Sequence, residues 1–274
     1  MASFTKLSGT AFVSGASTGL GEAFSRMLLR EGVRVWGTSR DASRLAGLAS
    51  GHPGAFHPVE LDLSDGTGAL RAFNGAAQAA GGAFDLVVNN AGYGVFGEFG
   101  ALESSVWRAQ LAGALLTVIE LSHASYRLMR QRNRGCLVHI SSLAAEFPLP
   151  YMSGYNVAKA GLSALSESLM FESRRTDITV IDFRPGDYRT NFNRSMQKDA
   201  ISETTRRAWE SLDAILAAAP PPERAAADLR RALLRNRSGV VRSGSLFQAR
   251  VAPLLARLLP ASWVRRANAI YFGV

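Results

Sequence analysis

The sequence has very little cysteine and no long apolar run. Cys136 is the single cysteine of the 274 residues, so no disulfide can form within the chain, which is typical of proteins in a reducing compartment. No apolar stretch reaches the roughly 18–20 residues that a membrane-spanning helix needs. The first apolar run, at residues 10–14, is too short for a signal peptide and leads directly into glycines. We therefore expect a cytoplasmic protein without a signal peptide or a transmembrane helix.

Clusters of metal-binding side chains are also missing. The four histidines have no cysteine or carboxylate partners at the spacing of metal ligands, so no metal site is predicted. Hydrophobic residues make up 47% of the chain and charged residues 19%. This composition is typical of a globular protein with a buried core and excludes a disordered chain.

Apolar segments of strand length alternate with helical segments along most of the chain. We predict strands at residues 10–14, 33–38, 56–61, 84–89, 135–141 and 178–183, with helices between them that include 102–131 and 153–175. Such alternation indicates a parallel sheet with helices on both faces. The predicted fold is α/β: a doubly wound parallel sheet (Rossmann fold) in three α/β/α layers, a single domain with a C-terminal helical extension.

A glycine-rich segment, GASTGLG, separates the first predicted strand from the first predicted helix. Glycines permit a tight turn and close backbone approach, and a helix N-terminus presents free N–H groups to a phosphate. In this strand–loop–helix order the segment predicts a dinucleotide-binding site.

The residues at the end of the second predicted strand indicate which dinucleotide is preferred. Ser39 and Arg40 stand where an acidic residue would bind a free ribose 2′-hydroxyl, and an arginine there suits a 2′-phosphate. We therefore predict that NADP(H) is preferred over NAD(H). The alternative is that Arg40 is an ordinary solvated side chain.

A serine, a tyrosine and a lysine surround the start of the helix predicted at 153–175. Ser142 follows a predicted strand, and Tyr155 and Lys159 are four residues apart, which places them on one helix face. A free tyrosine loses its proton near pH ~10, and a neighbouring ammonium lowers that pKa. We expect Tyr155 to be a general acid or base, Lys159 to lower its pKa and Ser142 to hold a substrate oxygen. The alternative is a solvated helix surface, on which this spacing occurs by chance.

Taken together, these segments resemble the short-chain dehydrogenase/reductase family over residues 7–192. The resemblance rests on SGASTGLG at 14–21, NNAG at 89–92, Ser142 with YNVAK, and RPGDYRT at 184–190. It implies an oxidoreductase that transfers a hydride between a nicotinamide and a carbonyl or secondary alcohol, with Tyr155 moving the proton and Ser142 orienting the oxygen. It also implies a homo-oligomer.

The resemblance further implies a set of cofactor-binding residues. Those expected to line the pyrophosphate are Gly15, Ser17, Gly19, Leu20 and Gly21, with Asp62 and Leu63 near the adenine and Asn90 near the ribose. Beside the nicotinamide ribose and carboxamide, the expected residues are Tyr155, Lys159, Pro185 and Thr190.

One position departs from the family pattern. The family usually has an asparagine in the helix after NNAG, where it helps to carry a water relay to the lysine. Aligned outward from Trp107, this position falls on Ala114, and Gln110 is not taken as its substitute. Either Ser142, Tyr155 and Lys159 suffice for catalysis, or the protein is a dinucleotide-binding sensor or interaction protein with weak or no catalysis.

After Thr190 the sequence is particular to this chain. We predict a substrate lid at about 191–221, within a domain that spans residues 1–243. The apolar residues of this lid either line a substrate pocket or pack as ordinary core; they are Phe192, Met196, Trp209, Leu212 and Ile215. A further helix is predicted at 222–236 and a last strand at 239–242.

The net charge of +9 is confined to the end of the chain. Residues 224–274 contain ten arginines, no lysine and one acid, Asp228, whereas residues 1–223 sum to zero. Leucines recur at helical spacing within 244–274, which predicts a basic amphipathic extension. It either packs on the domain or lies on an anionic membrane or a partner protein. The apolar lid and the basic end favour a lipophilic small-molecule substrate; without a recognised module, no nucleic-acid partner is expected.

Overall fold

The computed structural model describes residues 9–199 and 201–274, apart from the side chains of residues 193, 194 and 204. The predicted start of the domain at residue 1 and of the family resemblance at residue 7 lie outside the described residues. The strands of the described part are β1 (Thr10–Val13), β2 (Arg34–Ser39), β3 (Phe56–Glu60), β4 (Leu86–Asn89), β5 (Val95–Phe96), β6 (Arg134–Ile140), β7 (Asp177–Pro185), β8 (Gln197–Lys198) and β9 (Gly239–Ser243).

Helices connect these strands in alternation. They are α1 (Gly19–Arg30), α2 (Ala46–Gly51), α3 (Gly66–Ala79), α4 (Ser104–Leu111), α5 (Thr117–Arg132), α6 (Ser153–Glu172), α7 (Phe192–Ser195), α8 (Glu203–Ala217), α9 (Pro222–Arg235), α10 (Ala252–Leu258) and α11 (Ala261–Tyr271). A π-helical turn, Ala112–Leu116, joins α4 to α5, and another, Phe247–Val251, precedes α10.

The main sheet has seven parallel strands in the order β3-β2-β1-β4-β6-β7-β9. The chain moves outward from β1 to β3 and then returns to the opposite side of β1 at β4. The loops after β1 and β4 therefore diverge, and the crevice between them is the place where ligands bind in open α/β sheets. β5 and β8 form a separate two-stranded sheet above this edge.

The six predicted strands and the last strand are all present, so the doubly wound α/β prediction is confirmed. β7 extends two residues beyond the prediction, to Pro185, and α6 ends at Glu172, before the predicted 175. The segment predicted as one helix at 102–131 is divided by the π-helical turn.

Apolar side chains fill both faces of the sheet. Phe24, Phe183 and Leu229 belong to the layer formed by α1 and α9, and Phe73 and Leu121 to the layer formed by α3, α5 and α6. Burying each such side chain contributes about 1.5–3 kcal/mol. Both layers hold the carboxyl ends of the strands in fixed positions, where the candidate site lies.

The C-terminal helices lie over that carboxyl edge. α11 is joined to the loop before α6, since Asn268 Nδ2 donates to the carbonyl oxygen of Pro148 at 2.7 Å. Across the described ranges, each helix falls short of the length and hydropathy needed to cross a membrane.

Candidate active site

The loop after β1 makes a tight glycine turn into α1. Gly19 has a φ of 59°, a left-handed conformation that glycine adopts without strain. A Cβ on Gly21 would lie 2.0 Å from the carbonyl oxygen of Gly15, so only glycine fits there. The N-cap of α1, Thr18, makes no side-chain capping bond. The first N–H groups of α1 are thus available to a phosphate, as a dinucleotide requires.

Asn90 joins the loop after β4 to this glycine turn. Its Nδ2 donates to the carbonyl oxygens of Ser14 at 2.9 Å and Gly15 at 3.3 Å. In return, Ser14 Oγ accepts from the backbone N–H groups of Asn90 and Ala91, both at 2.9 Å. These bonds fix the two sides of the crevice relative to each other.

The residues predicted to meet the adenosine end lie at the ends of β2 and β3. Arg40 is exposed directly after β2, and Ser39 Oγ donates to Ser17 Oγ at 3.4 Å. Asp62 Oδ1 accepts from the N–H of Ser64 at 2.9 Å, and Leu63 is buried beside it. The sheet therefore brings these side chains to one edge, next to the glycine turn.

The loop after β7 closes the other side of the crevice. A Cβ on Gly19 would lie 3.2 Å from Thr190 Cβ, so Thr190 lies directly against the glycine turn. The side chain of Leu20 packs against the core, while its backbone belongs to the first turn of α1. The predicted cofactor residues thus lie around a single crevice at the carboxyl edge of the sheet, and their chemistry fits a nicotinamide dinucleotide. That each of them contacts the cofactor stays a prediction.

Ser142, Tyr155 and Lys159 come together where β6 ends and α6 begins. Ser142 Oγ accepts from the N–H of Ala144 at 3.0 Å, lies 3.5 Å from the carbonyl oxygen of Pro185, and hydrogen-bonds Tyr155. Lys159 Nζ donates to the carbonyl oxygen of Ile140 at 2.7 Å and lies 5.6 Å from the centroid of the Tyr155 ring. The i, i+4 spacing therefore places both side chains on one face, as predicted.

Burial is the largest cause of the pKa shifts of Tyr155 and Lys159. Desolvation raises the pKa of Tyr155 to about 12, against a lowering by the Ser142 hydrogen bond and a further raising by the charge of Asp187. Desolvation also lowers the pKa of Lys159 to about 8, although the Asp182 carboxylate opposes it. The net direction for Tyr155 is therefore upward, because loss of hydration disfavours the phenolate more than the hydrogen bond from Ser142 favours it. The lowering of the Tyr155 pKa by Lys159 stays a prediction.

A buried ionic network behind Lys159 was not predicted. Asp182, fully buried on β7, accepts from Ser163 Oγ at 2.5 Å and from Arg184 Nε at 2.7 Å. Arg184 also donates to Glu146 Oε1 at 2.6 Å, which ties β7 to the loop after β6. The available signal was an acid and an arginine two residues apart in an apolar strand, hence on the same face.

Ala114 lies in the π-helical turn between α4 and α5 and is buried. Its methyl group offers no hydrogen bond, so the side-chain amide is missing as predicted. Gln110, one turn earlier, is also buried and donates to the carbonyl oxygen of Tyr93 at 3.3 Å. A Cβ on Gly154 would lie 2.2 Å from Gln110 Oε1, so this amide packs against the first turn of α6.

A cavity of about 300 Å³ opens in front of Tyr155 and Ser142. Of the five lid residues, Phe192, Met196 and Leu212 line it, whereas Trp209 and Ile215 pack with the apolar cluster around Phe96 and do not. The segment between β6 and α6 supplies part of the remaining wall, and the C-terminal segment supplies another part. The large side chains of the C-terminal segment that line the cavity are Phe247, Leu255, Leu259, Val264, Tyr271 and Phe272. The extension therefore does pack on the domain, and it does so over the cavity.

Residues 9–201 match a family sequence profile described as short chain dehydrogenase. The chain belongs to the short-chain dehydrogenase/reductase family. This short-chain dehydrogenase/reductase is 31% identical to an oxidoreductase of Botryotinia fuckeliana over 195 residues, which cover 70% of either chain. It is 28% identical to a 3-ketodihydrosphingosine reductase of Bacteroides thetaiotaomicron, over 74% of this chain and 72% of the relative.

Solved structures of other short-chain dehydrogenases/reductases share the fold. A short-chain dehydrogenase from Streptomyces avermitilis superposes with a TM-score of 0.84 at 25% identity, covering 96% of this chain and 98% of the other. A metagenomic short-chain oxidoreductase in complex with NADP gives a TM-score of 0.67 at 29% identity, covering 86% and 97%. The family thus makes this protein an oxidoreductase that uses a nicotinamide cofactor.

Proposed function

We propose that this short-chain dehydrogenase/reductase is an NADP(H)-dependent carbonyl reductase, or alcohol dehydrogenase in reverse, that acts on a lipophilic substrate. The observation that supports this proposal is the position of Tyr155. Its side chain is hydrogen-bonded to Ser142 and lines a largely apolar cavity. A carbonyl compound with an apolar body fits a site of this shape and chemistry.

The side chains divide the work as follows. When bound, NADP(H) supplies or accepts the hydride. Ser142 donates a hydrogen bond to the carbonyl oxygen and stabilises its developing negative charge. Tyr155 gives its proton to that oxygen; with a pKa of about 12 it is protonated at neutral pH, which suits a general acid in the reductive direction. Lys159, held by the carbonyl oxygen of Ile140, lies beneath the ring and favours the phenolate left behind.

The cofactor preference rests on Arg40. Its exposed guanidinium follows β2 at the place where the adenosine ribose meets the sheet in this topology, and Ser39 at the end of β2 is not an acid that could bind a free 2′-hydroxyl. The next residue, Asp41, accepts hydrogen bonds from Ser43. NADP is bound by the metagenomic oxidoreductase, whereas a relative from Burkholderia phymatum, 19% identical with a TM-score of 0.81, was solved with NAD. The arginine therefore carries the NADP(H) proposal.

Two partner proposals accompany the catalytic one. The exposed apolar residues and arginines of the C-terminal helices support peripheral contact with an anionic membrane around the cavity mouth. Exposed Val157 and Phe171 on α6, together with Leu116, support a homo-oligomer formed through that side of the domain.

The catalytic proposal is tested by following NADPH oxidation with a panel of ketones of increasing chain length. We expect turnover that improves with chain length in the wild-type protein. Tyr155→Phe should lower kcat by about 10²- to 10⁴-fold, because general acid–base catalysis contributes this much. Tyr126→Phe, which removes a hydroxyl from a buried tyrosine of α5 outside the cavity, is the matched control and should retain turnover.

The same assay decides between an enzyme and a dinucleotide-binding sensor. Ala114, which leaves the water relay without its amide, is the observation that favours a sensor. Tight NADPH binding with no turnover across the panel, or equal turnover in Tyr155→Phe, would contradict the catalytic proposal.

A further inference from the structure

Among the described residues that line the largely apolar substrate cavity, one, Asp187, carries a carboxylate. Asp187 lines the wall together with Tyr155 and Ser142, and among the residues that the structure describes the lining includes no lysine, arginine or histidine. A carboxylate in a largely apolar cavity whose described hydrogen-bond donors are neutral is unfavourable, because the lost hydration is not replaced by an opposite charge. A ligand with a positive charge would therefore be stabilised beside Asp187.

The hydrogen bonds of Asp187 orient it toward the cavity. Gln248 Nε2 and Tyr271 Oη both donate to Oδ2, the latter at 3.3 Å. Both donors are neutral and belong to the C-terminal helices. Among the described residues, the hydrogen bonds to this carboxylate are both accepted by Oδ2. The other oxygen, Oδ1, therefore remains available to a bound molecule.

Asp187 also lies close to the proposed proton donor. It follows Gly186, directly after β7, and its charge is one of the groups that raise the pKa of Tyr155. Desolvation raises the pKa of Asp187 itself, while the donors Gln248 and Tyr271 lower it. A cation bound at Oδ1 would also lower the pKa of Asp187 and so favour its ionised form.

We propose that Asp187 binds the ammonium group of an amphiphilic amino ketone, whose carbonyl meets Tyr155 and whose apolar chain fills the cavity. This inference rests on the proposed carbonyl reduction and deepens it. The ammonium and the reacting carbonyl lie near each other in such a substrate, because Asp187 and Tyr155 line the same cavity and the charge of Asp187 acts on Tyr155. Gln248 and Tyr271 act as positioning residues that hold the carboxylate in place from the C-terminal helices.

The test compares two ketones with the same decyl chain, one with an α-amino group and one without. In the wild-type protein we expect kcat/KM to be roughly tenfold to a hundredfold higher for the amino ketone, the size expected for a hydrogen bond between charged groups. Asp187→Asn keeps the shape and removes the charge, and it should bring the ratio of the two kcat/KM values close to one. Asp177→Asn, at the exposed opposite end of β7, is the control and should keep the wild-type ratio.

A binding measurement separates this inference from the catalytic proposal. Titration calorimetry with decylamine and decanol, on the complex with NADPH, should show a preference for the amine that Asp187→Asn abolishes. If neither ketone is reduced but this preference is found, the catalytic proposal fails and the role of Asp187 stands. An unchanged preference in Asp187→Asn, or an effect of that substitution only on the ratio of NADP+ to NADPH affinity, would overturn the role of Asp187.

Discussion

At the scale of single residues, the site is governed by burial more than by neighbouring charge. Lys159 is almost fully buried, and desolvation moves its pKa down to about 8 while it moves that of Tyr155 up to about 12. Both shifts favour the neutral form, because each side chain loses water that stabilised its charge. The pair therefore holds a proton on the tyrosine at neutral pH.

The cofactor preference is also decided by one residue. Arg40→Ala should raise the KM for NADPH by roughly tenfold to a hundredfold, because it removes a charge-assisted bond to the 2′-phosphate, and should leave the KM for NADH nearly unchanged. Steady-state kinetics with both cofactors measures this. Arg30→Ala, an exposed arginine at the far end of α1, is the control. Equal effects on both cofactors would make Arg40 an ordinary solvated side chain.

At the scale of elements, β6 is joined to the helices that cover it through a buried histidine. His139 Nε2 lies 2.8 Å from Ser122 Oγ of α5, and Nδ1 lies 2.7 Å from Ser166 Oγ of α6. Burial lowers the pKa of His139 to about 4, with Lys159 lowering it further and Asp182 opposing. The histidine is thus neutral in the folded protein at every pH above that value.

This histidine should make stability depend on pH. Its folded-state pKa is below the ordinary 6.5, so the unfolded chain takes up the proton first as the pH falls. The stabilisation is complete above pH 6.5 and is lost between 6.5 and about 4, by about 3 kcal/mol in all. Urea unfolding at several pH values should show this loss in the wild-type protein and a weaker loss in His139→Gln.

The exposed His123 of α5 provides the matched control for that measurement. His123→Gln, which changes an exposed side chain on the same helix as Ser122, should show the wild-type dependence on pH. Identical pH profiles for wild-type protein and His139→Gln would contradict the assignment to His139.

At the scale of the whole molecule, charge and exposed apolar surface coincide. Eleven of the sixteen exposed large apolar side chains in the described ranges lie within residues 246–274, which also contain four arginines and no acid. Four of these side chains also line the substrate cavity: Phe247, Leu255, Leu259 and Tyr271. Contact with a lipid surface would thus present lipophilic molecules directly to the site.

We expect the protein to co-sediment with vesicles that contain phosphatidylserine and not with vesicles of phosphatidylcholine alone. Binding should weaken as salt is raised, since part of it comes from the arginines. Leu258→Glu combined with Trp263→Glu should abolish it, whereas Phe171→Glu, which alters an equally exposed side chain on α6, should not. Failure of the wild-type protein to bind anionic vesicles would contradict membrane contact.

The sequence by itself determined the sheet and the positions of the reactive side chains along the chain. Strand and helix periodicity is local, so the alternating segments predicted each strand and its neighbours. The strand order then follows from short right-handed connections, and it brings the ends carrying Gly15, Arg40, Asn90 and Ser142 to one edge. The i, i+4 spacing of Tyr155 and Lys159 needed only a helix.

Only the tertiary structure decided how strongly those side chains are desolvated and what faces them. The spacing of the leucines at 244–274 does not predict whether they cover a cavity or a membrane, because an amphipathic pattern is the same for either apolar surface. The contact between Asp187 and Tyr271 joins residues 84 positions apart, and no local pattern encodes it. Burial depends on every element packed around a group, so the raised pKa of Tyr155 and the carboxylate in the cavity emerged only with the fold.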